Sequence, residues 1–253
     1  MYLEVNQTIE EAINLIKEKI RTNTPFALSR YGDGEIYFIN RNSPTEHQQR
    51  GCREWGYNYP SELTDFYNDS SNIIFNGIAN SDVIGIMDKN NDIAKSINYK
   101  EEKWSIKESL LKDKGIDISN LVICDHMVSR AEEFGRPDNF KEILQGKSLN
   151  IISPNTEILK TKNLDKLFES DVTFTHHPYN VNLRNRDEFI KSFENIKSEV
   201  VLVGCGIQKD YVSYLKYNNN KIAIDVGALL DAWSGLLTRP WFRKDGKQDY
   251  LVL

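Results

Sequence analysis

Apolar positions along the chain alternate between short continuous runs and longer periodic stretches. Thr8-Ile9-Glu10-Glu11 has a capping-box pattern, and Ile9, Ile13, Ile16 and Ile20 follow at helical spacing, which predicts an amphipathic first helix that Pro25 ends. The run Phe26 to Leu28 then leads into Tyr31-Gly32-Asp33-Gly34-Glu35, a pattern that predicts a strand followed by a tight glycine loop. Further runs rich in β-branched residues at Ile73–Ile78, Leu121–Cys124, Leu149–Ile152, Val172–Thr175, Val200–Val203 and Ile222–Ile224 read as buried strands. Charged periodic stretches separate most of them, at Glu101–Lys114, Asn139–Leu144, Arg186–Ile196 and Gln208–Tyr217, and these read as surface helices. Strand-helix alternation of this kind predicts an α/β fold: a mostly parallel sheet covered by helices on both faces, in a single domain over 1–253. Residues 40–60 are polar and aromatic with few apolar anchors and read as a loop or helical insertion beside the first strand, a common place for part of a binding site.

Composition narrows the class. With 40% hydrophobic, 27% charged and 11% aromatic residues, the chain is of ordinary globular type. A net charge of -5 argues against nucleic acid as the main partner, since binding to phosphate backbones usually needs a basic face. Three widely spaced cysteines with no Cys-x-x-Cys pair fit a reducing compartment. No charged-then-apolar leader and no run approaching the ~20 apolar residues of a bilayer span is seen. The expectation is a cytoplasmic protein, with peripheral contact at the inner face of the membrane allowed.

Candidate chemistry collects at expected strand ends, where ligands of open parallel sheets bind. Asp33 and Glu35, two positions apart in a glycine turn, could converge on one hard cation such as Mn²⁺ or Mg²⁺; the plain alternative is a solvated Asp-Gly turn. Gly32 and Gly34 would let backbone approach a ligand, and Arg30 could clamp phosphate oxygens. Gly204-Cys205-Gly206 follows another strand, and Asp225 ends the next one 19 residues after Gly206 (225 − 206). That spacing is similar to the glycine turn and ribose-binding acid of a dinucleotide or S-adenosylmethionine site, although Lys209 takes the place of the third glycine. The alternative for Gly204 and Gly206 is close strand-helix packing. Asp231, Trp233, Arg239 and Trp241 add acids, a cation and flat apolar faces near the C-terminus, with core packing as the alternative for the tryptophans. His176 closes a strand and is a candidate general base, whereas His177 reads as structural. Ser129-Arg130 follows another strand end, and Arg130 is a candidate phosphate or acceptor ligand. Cys205 reads as a small buried residue, and nothing points to zinc.

Taken together, Arg30-Tyr31-Gly32-Asp33-Gly34-Glu35 resembles the Arg-Phe-Gly-Asp-Gly-Glu signature of GT-D fold glycosyltransferases, with Tyr31 in place of Phe. Val203-Gly204-Cys205-Gly206 with Lys209, then Ile224-Asp225-Val226-Gly227, Asp231-Ala232-Trp233 and Arg239-Pro240, is similar to the late part of that family. The resemblance runs over roughly residues 8 to 241, with specific motifs near the two ends. It implies a Rossmann-like parallel sheet, a UDP-sugar donor and Mn²⁺ or Mg²⁺ at the Asp33-x-Glu35 motif. It also implies transfer of a hexose to a glycan acceptor, lipid-linked or not, in bacterial capsule or lipopolysaccharide synthesis. Two competing readings remain open at this point. One is an S-adenosylmethionine-dependent methyltransferase built on Gly204, Gly206 and Asp225. The other is a non-catalytic subunit that binds nucleotide or glycan.

Overall fold

In the computed structural model, all the strands among the described residues join one sheet, whose inner strands are paired on both sides. The residues described are 1–40, 49, 52–53, 55–90, 94–95, 99–126, 128, 131–178 and 183–236. Helix α1 (Ile9–Thr22) carries both halves of the expected capping box at Thr8 and Glu11, and it buries Ala12, Ile13, Ile16 and Ile20. Strand β1 (Phe26–Arg30) is buried throughout. Helix α2 (Asp33–Asn40) and the long α3 (Leu63–Asn80) come next, then β2 (Val83–Ile86), β3 (Val122–Asp125), α4 (Pro137–Leu144), β4 (Leu149–Ser153) and β5 (Val172–His176). The last elements are β6 (Val200–Val203), α5 (Tyr211–Asn219), β7 (Ile222–Asp225) and the short α6 (Leu229–Trp233).

All strand pairs are parallel, and the order is β3-β2-β1-β7-β6-β4-β5. Alternate side chains sort to opposite faces, as strand geometry requires. Phe26 and Leu28 join α1, Phe140 of α4 and Trp233 of α6 on one side, while Ala27 meets Tyr211, Val212 and Leu215 of α5 on the other. Ile84 and Ile123 continue that second face under α2 and α3. Helices therefore cover both faces, as the alternation predicts.

Three expectations change. Ile73–Ile78 is the buried side of α3 rather than a strand, because Phe66, Ser70, Ile73, Ile74, Gly77 and Ile78 recur at helical period within an 18-residue helix. The expected tight loop at Asp33-Gly34-Glu35 is the first turn of α2. Strand β2 went unseen because it is only four residues long and is interrupted by Gly85. A Cβ at Gly85 would lie 3.0 Å from His126 Cα and 3.1 Å from Arg30 Cγ, so close approach of β1 and β3 excludes a side chain there. Smaller shifts follow the same pattern: Glu101–Lys114 divides into Glu101–Trp104 and Glu108–Asp113, and Gln208–Tyr217 begins only at Tyr211.

Candidate active site

The strand order places the site. From β1 the chain works outward through β2 to β3, then crosses to the other half and returns through β6 to β7 beside β1. Strand β7 is thereby set beside β1 with its carboxyl end on the same edge, the edge at which open α/β sheets bind ligands. Both strands end at this junction in a charged residue, Arg30 and Asp225.

Four charged residues gather there. Asp225 Oδ2 accepts from the Arg30 backbone N–H at 3.1 Å and from Lys209 Nζ at 2.7 Å. Lys209 Nζ also lies 3.5 Å from Glu35 Oε1. Arg30 donates through Nε to the His126 carbonyl beyond β3, and Gly227, at φ +50°, leaves room for its Nη1, which sits 2.9 Å from where a Cβ would be. The cluster is nearly closed: side-chain exposure is 14% for Glu35, 8% for Lys209 and 5% for Asp225. Burial pulls the Arg30 guanidinium below its ordinary range against the opposing charges of Asp225 and Glu35. Burial also pulls on the Lys209 ammonium, yet the attraction of Asp225 and Glu35 outweighs it and holds the group above the usual lysine range.

Local sequence explains the placement of Glu35. Gly32 caps α2, its carbonyl accepting from Ile36 N, and Glu35 reaches back through Oε2 to the Gly32 N–H at 2.8 Å. This is half of a capping box, reinforced by the favourable field for an acid in the first turn. Side chains of a first turn lean toward the N-terminal end of the helix, which carries Glu35 back over the end of β1. Asp33 opens α2, and its side chain lies outside the described residues, as do Arg130 and Arg239 altogether.

Hard oxygen donors suit Mn²⁺ or Mg²⁺, and the locus already attracts a cation, since the Lys209 ammonium stands between two carboxylates. Among the described residues no group of three metal-ligating side chains is assembled. Of the motif's two acids, Glu35 is the one whose side chain is described, and a ligand's own oxygens would have to fill further positions around such an ion.

Other expected residues are placed apart or have structural reasons. A Cβ at Gly204 would sit 2.8 Å from Leu230 Cδ1 and 3.1 Å from the Gly227 carbonyl, so this glycine allows α6 to pack on β6. Gly206 has φ +60° and faces Trp55, whose ring carbons lie 3.4 and 3.7 Å from the Cβ position. Trp55 thus packs beside the turn after β6. A Cβ at Gly34 would meet nothing within 4 Å. Asp231 accepts from Asn155 Nδ2 at 2.7 Å, beyond β4. His176 ends the edge strand β5, exposed and 3.2 Å from Thr156 Oγ1. It is four strands from β1, or about 19 Å at ~4.8 Å per strand, so it is not brought to the cluster. Trp233 is fully buried, and the three cysteines are free and buried.

Sequence reading missed Gln208. It is 2% exposed, and neither its amide nitrogen nor its amide oxygen has a hydrogen-bond partner. It adjoins Lys209 in the turn after β6, and no pattern signals an orphaned amide. The replacement of Phe by Tyr31 in the signature also finds its reason: the Tyr31 hydroxyl and Ser29 Oγ are 2.8 Å apart, and Ser81 Oγ donates to Ser29 at 2.9 Å.

These features define a doubly wound α/β protein whose ligand crevice is closed by a mixed-charge cluster. The GT-D fold-like domain family matches residues 7–233, and the chain belongs to that family. The structure described as "The highly conserved domain of unknown function 1792 has a distinct glycosyltransferase fold" is similar at 20% identity and a TM-score of 0.59, over 92% of this chain and 82% of that one. "A New Glycosyltransferase (DUF1792) from Streptococcus sanguinis" is similar at 16% identity and a TM-score of 0.57, over 92% and 85%. At such identities the likeness establishes the fold. No curated protein matches the chain in sequence. No helix among the described residues is long and apolar enough to cross a membrane.

Proposed function

We propose that the protein is a glycosyltransferase that moves a hexose from a nucleotide-sugar, a UDP-sugar, to a hydroxyl of a glycan acceptor in bacterial cell-surface polysaccharide or glycoconjugate synthesis. The observation that carries this is the cluster of Arg30, Glu35, Lys209 and Asp225 at the β1–β7 junction, built from the motifs at both ends of a GT-D fold-like domain. In this reading Asp33 and Glu35 hold Mn²⁺ or Mg²⁺ against the donor diphosphate. The metal would neutralise charge on the leaving group as the sugar-phosphate bond breaks. Lys209 supplies a further positive charge to the same oxygens, Gln208 offers its unpaired amide to the donor, and Trp55 provides a flat apolar face beside the Gly206 turn. Arg30 acts from within, spending its Nε on His126 and fixing Asp225 through its backbone. Acceptor binding, from a lipid-linked or soluble glycan, falls to the open side of the crevice on the cytoplasmic face of the membrane.

The methyltransferase reading needs Asp225 free for ribose hydroxyls. That carboxylate is instead held by Lys209 and the Arg30 N–H. Titration calorimetry with UDP, UDP-sugars and S-adenosylmethionine, with and without Mn²⁺, on wild type and the Asp33→Ala/Glu35→Ala double variant, decides between them. The expected result is Mn²⁺-dependent UDP binding that the double variant loses. S-adenosylmethionine binding, or UDP binding indifferent to both metal and variant, overturns the proposal.

A further inference from the structure

We infer that Lys209 holds the cation seat between Glu35 and Asp225 in the free protein, so that a divalent cation enters only together with the donor diphosphate and not alone. This rests on the metal-diphosphate reading above and adds an order of binding to it.

Lys209 pairs with Glu35 and Asp225, and the buried Arg30 guanidinium is drawn by the same two carboxylates, so two cations face two anions. Asp125, at the end of β3, lies 3.1 Å from His126 Nδ1. Asp33, the other acid of the motif, offsets only one charge of a bare divalent ion, so a positive charge is left uncompensated where water is scarce, which is costly. A diphosphate arriving with the ion restores the balance and gives the displaced ammonium a new partner.

Geometry supports the same order. Lys209 is anchored at its root: its backbone carbonyl carbon and its Cβ both lie 3.0 Å from where a Cβ on Gly77 of α3 would be, so α3 packs directly on the stem. Only the head of the side chain is left to move. Its Nζ, 2.7 Å from Asp225 Oδ2, lies 3.5 Å from Glu35 Oε1, a looser contact on the side from which a ligand would come. The Glu35 carboxylate is the most exposed of the three and keeps its other oxygen on the Gly32 N–H, so it can stay in place while its Lys209 contact is exchanged.

Coupling of this kind is reciprocal in binding free energy, which makes it measurable without turnover. The experiment is calorimetry on the full chain with Mn²⁺ alone, UDP alone and Mn²⁺ in saturating UDP, repeated on Lys209→Met and Lys209→Arg. Wild type is expected to show no Mn²⁺ binding at millimolar-scale concentrations without UDP and clear binding with it. Lys209→Met should tighten Mn²⁺ binding in the absence of UDP by about tenfold or more and loosen UDP with Mn²⁺ by a similar factor. Lys209→Arg, which keeps the charge, should retain the wild-type order. Wild type that takes Mn²⁺ equally well with and without UDP overturns this inference and leaves the metal reading standing. UDP binding that ignores Mn²⁺ overturns both. Should Lys209→Met fail to fold, the wild-type pair of titrations and Lys209→Arg still decide.

Discussion

At the scale of single residues, the crevice is held by a few charges with little access to water. Removing one member of a buried ion pair leaves its partner uncompensated, at about 3–5 kcal/mol. Asp225→Ala is therefore expected to destabilise the fold by that order, read from urea midpoints, since it strands both Lys209 and the Arg30 N–H. A loss below about 1 kcal/mol would show that the cluster is far wetter than its exposure indicates. His177 gives the pH counterpart. Buried against Phe189 and Tyr211, its imidazole is pushed down to about 4, mainly by burial. The unfolded chain thus takes up the proton first. The stability tied to neutral His177 is fully present above the ordinary histidine value of 6.5 and is lost as pH falls from there through about 4, by roughly 1.4 kcal/mol per unit. His177→Phe keeps a ring in the aromatic contact, and it should flatten urea midpoints between pH 6.5 and 4 relative to wild type.

At the scale of elements, the glycines divide by what surrounds them. Gly204→Ala would force a methyl group against Leu230 and the Gly227 carbonyl, and thermal melts should show a loss of about 1–3 kcal/mol. Gly34→Ala enters open space in a helix and should be neutral or stabilise by up to about 1 kcal/mol. If that variant keeps its stability and loses UDP affinity, Gly34 is retained for a ligand's approach. These elements also show how far the sequence could be read. Val200–Val203 and Ile222–Asp225 announced themselves as unbroken apolar runs ending in a glycine or an acid, because both faces of those strands are covered. Ile73–Ile78 misled for the same reason: β-branched residues cluster on the buried side of α3 as readily as in a strand, and only the full 18-residue period distinguishes the two. Arg30, Glu35, Lys209 and Asp225 each stood out by type and position. Their contact did not, because crossover topology decides which strand ends become neighbours and no local pattern encodes it. His176 shows the converse, a plausible histidine at a strand end that lies at the far edge of the sheet.

For the whole molecule, the site and the core are one structure, since the cluster bridges the strands around which both halves of the sheet are organised. A ligand that binds there stabilises the native state alone. Donor and metal at about 100 times their dissociation constant should add about 2.7 kcal/mol. At about 2–4 °C per kcal/mol for a chain of this size, the melting temperature should rise by roughly 5–11 °C in a single transition. Calorimetric scans with UDP and Mn²⁺ together, set against either alone, check this. Two separate transitions, only one of them moving, would contradict a shared core.

The pairing of first strand with last has a consequence for how the protein is made. Asp225 stands 195 residues beyond Arg30. During synthesis at about 5–20 residues per second, β1 waits some 10–40 s for its neighbour on that side to leave the ribosome. Through that interval a five-residue strand edge that the finished fold buries is exposed in the growing chain, the kind of surface on which nascent proteins associate wrongly. Slowing translation of the last third should therefore lower the yield of native protein more than slowing the first, and chaperones that shield strand edges should restore it.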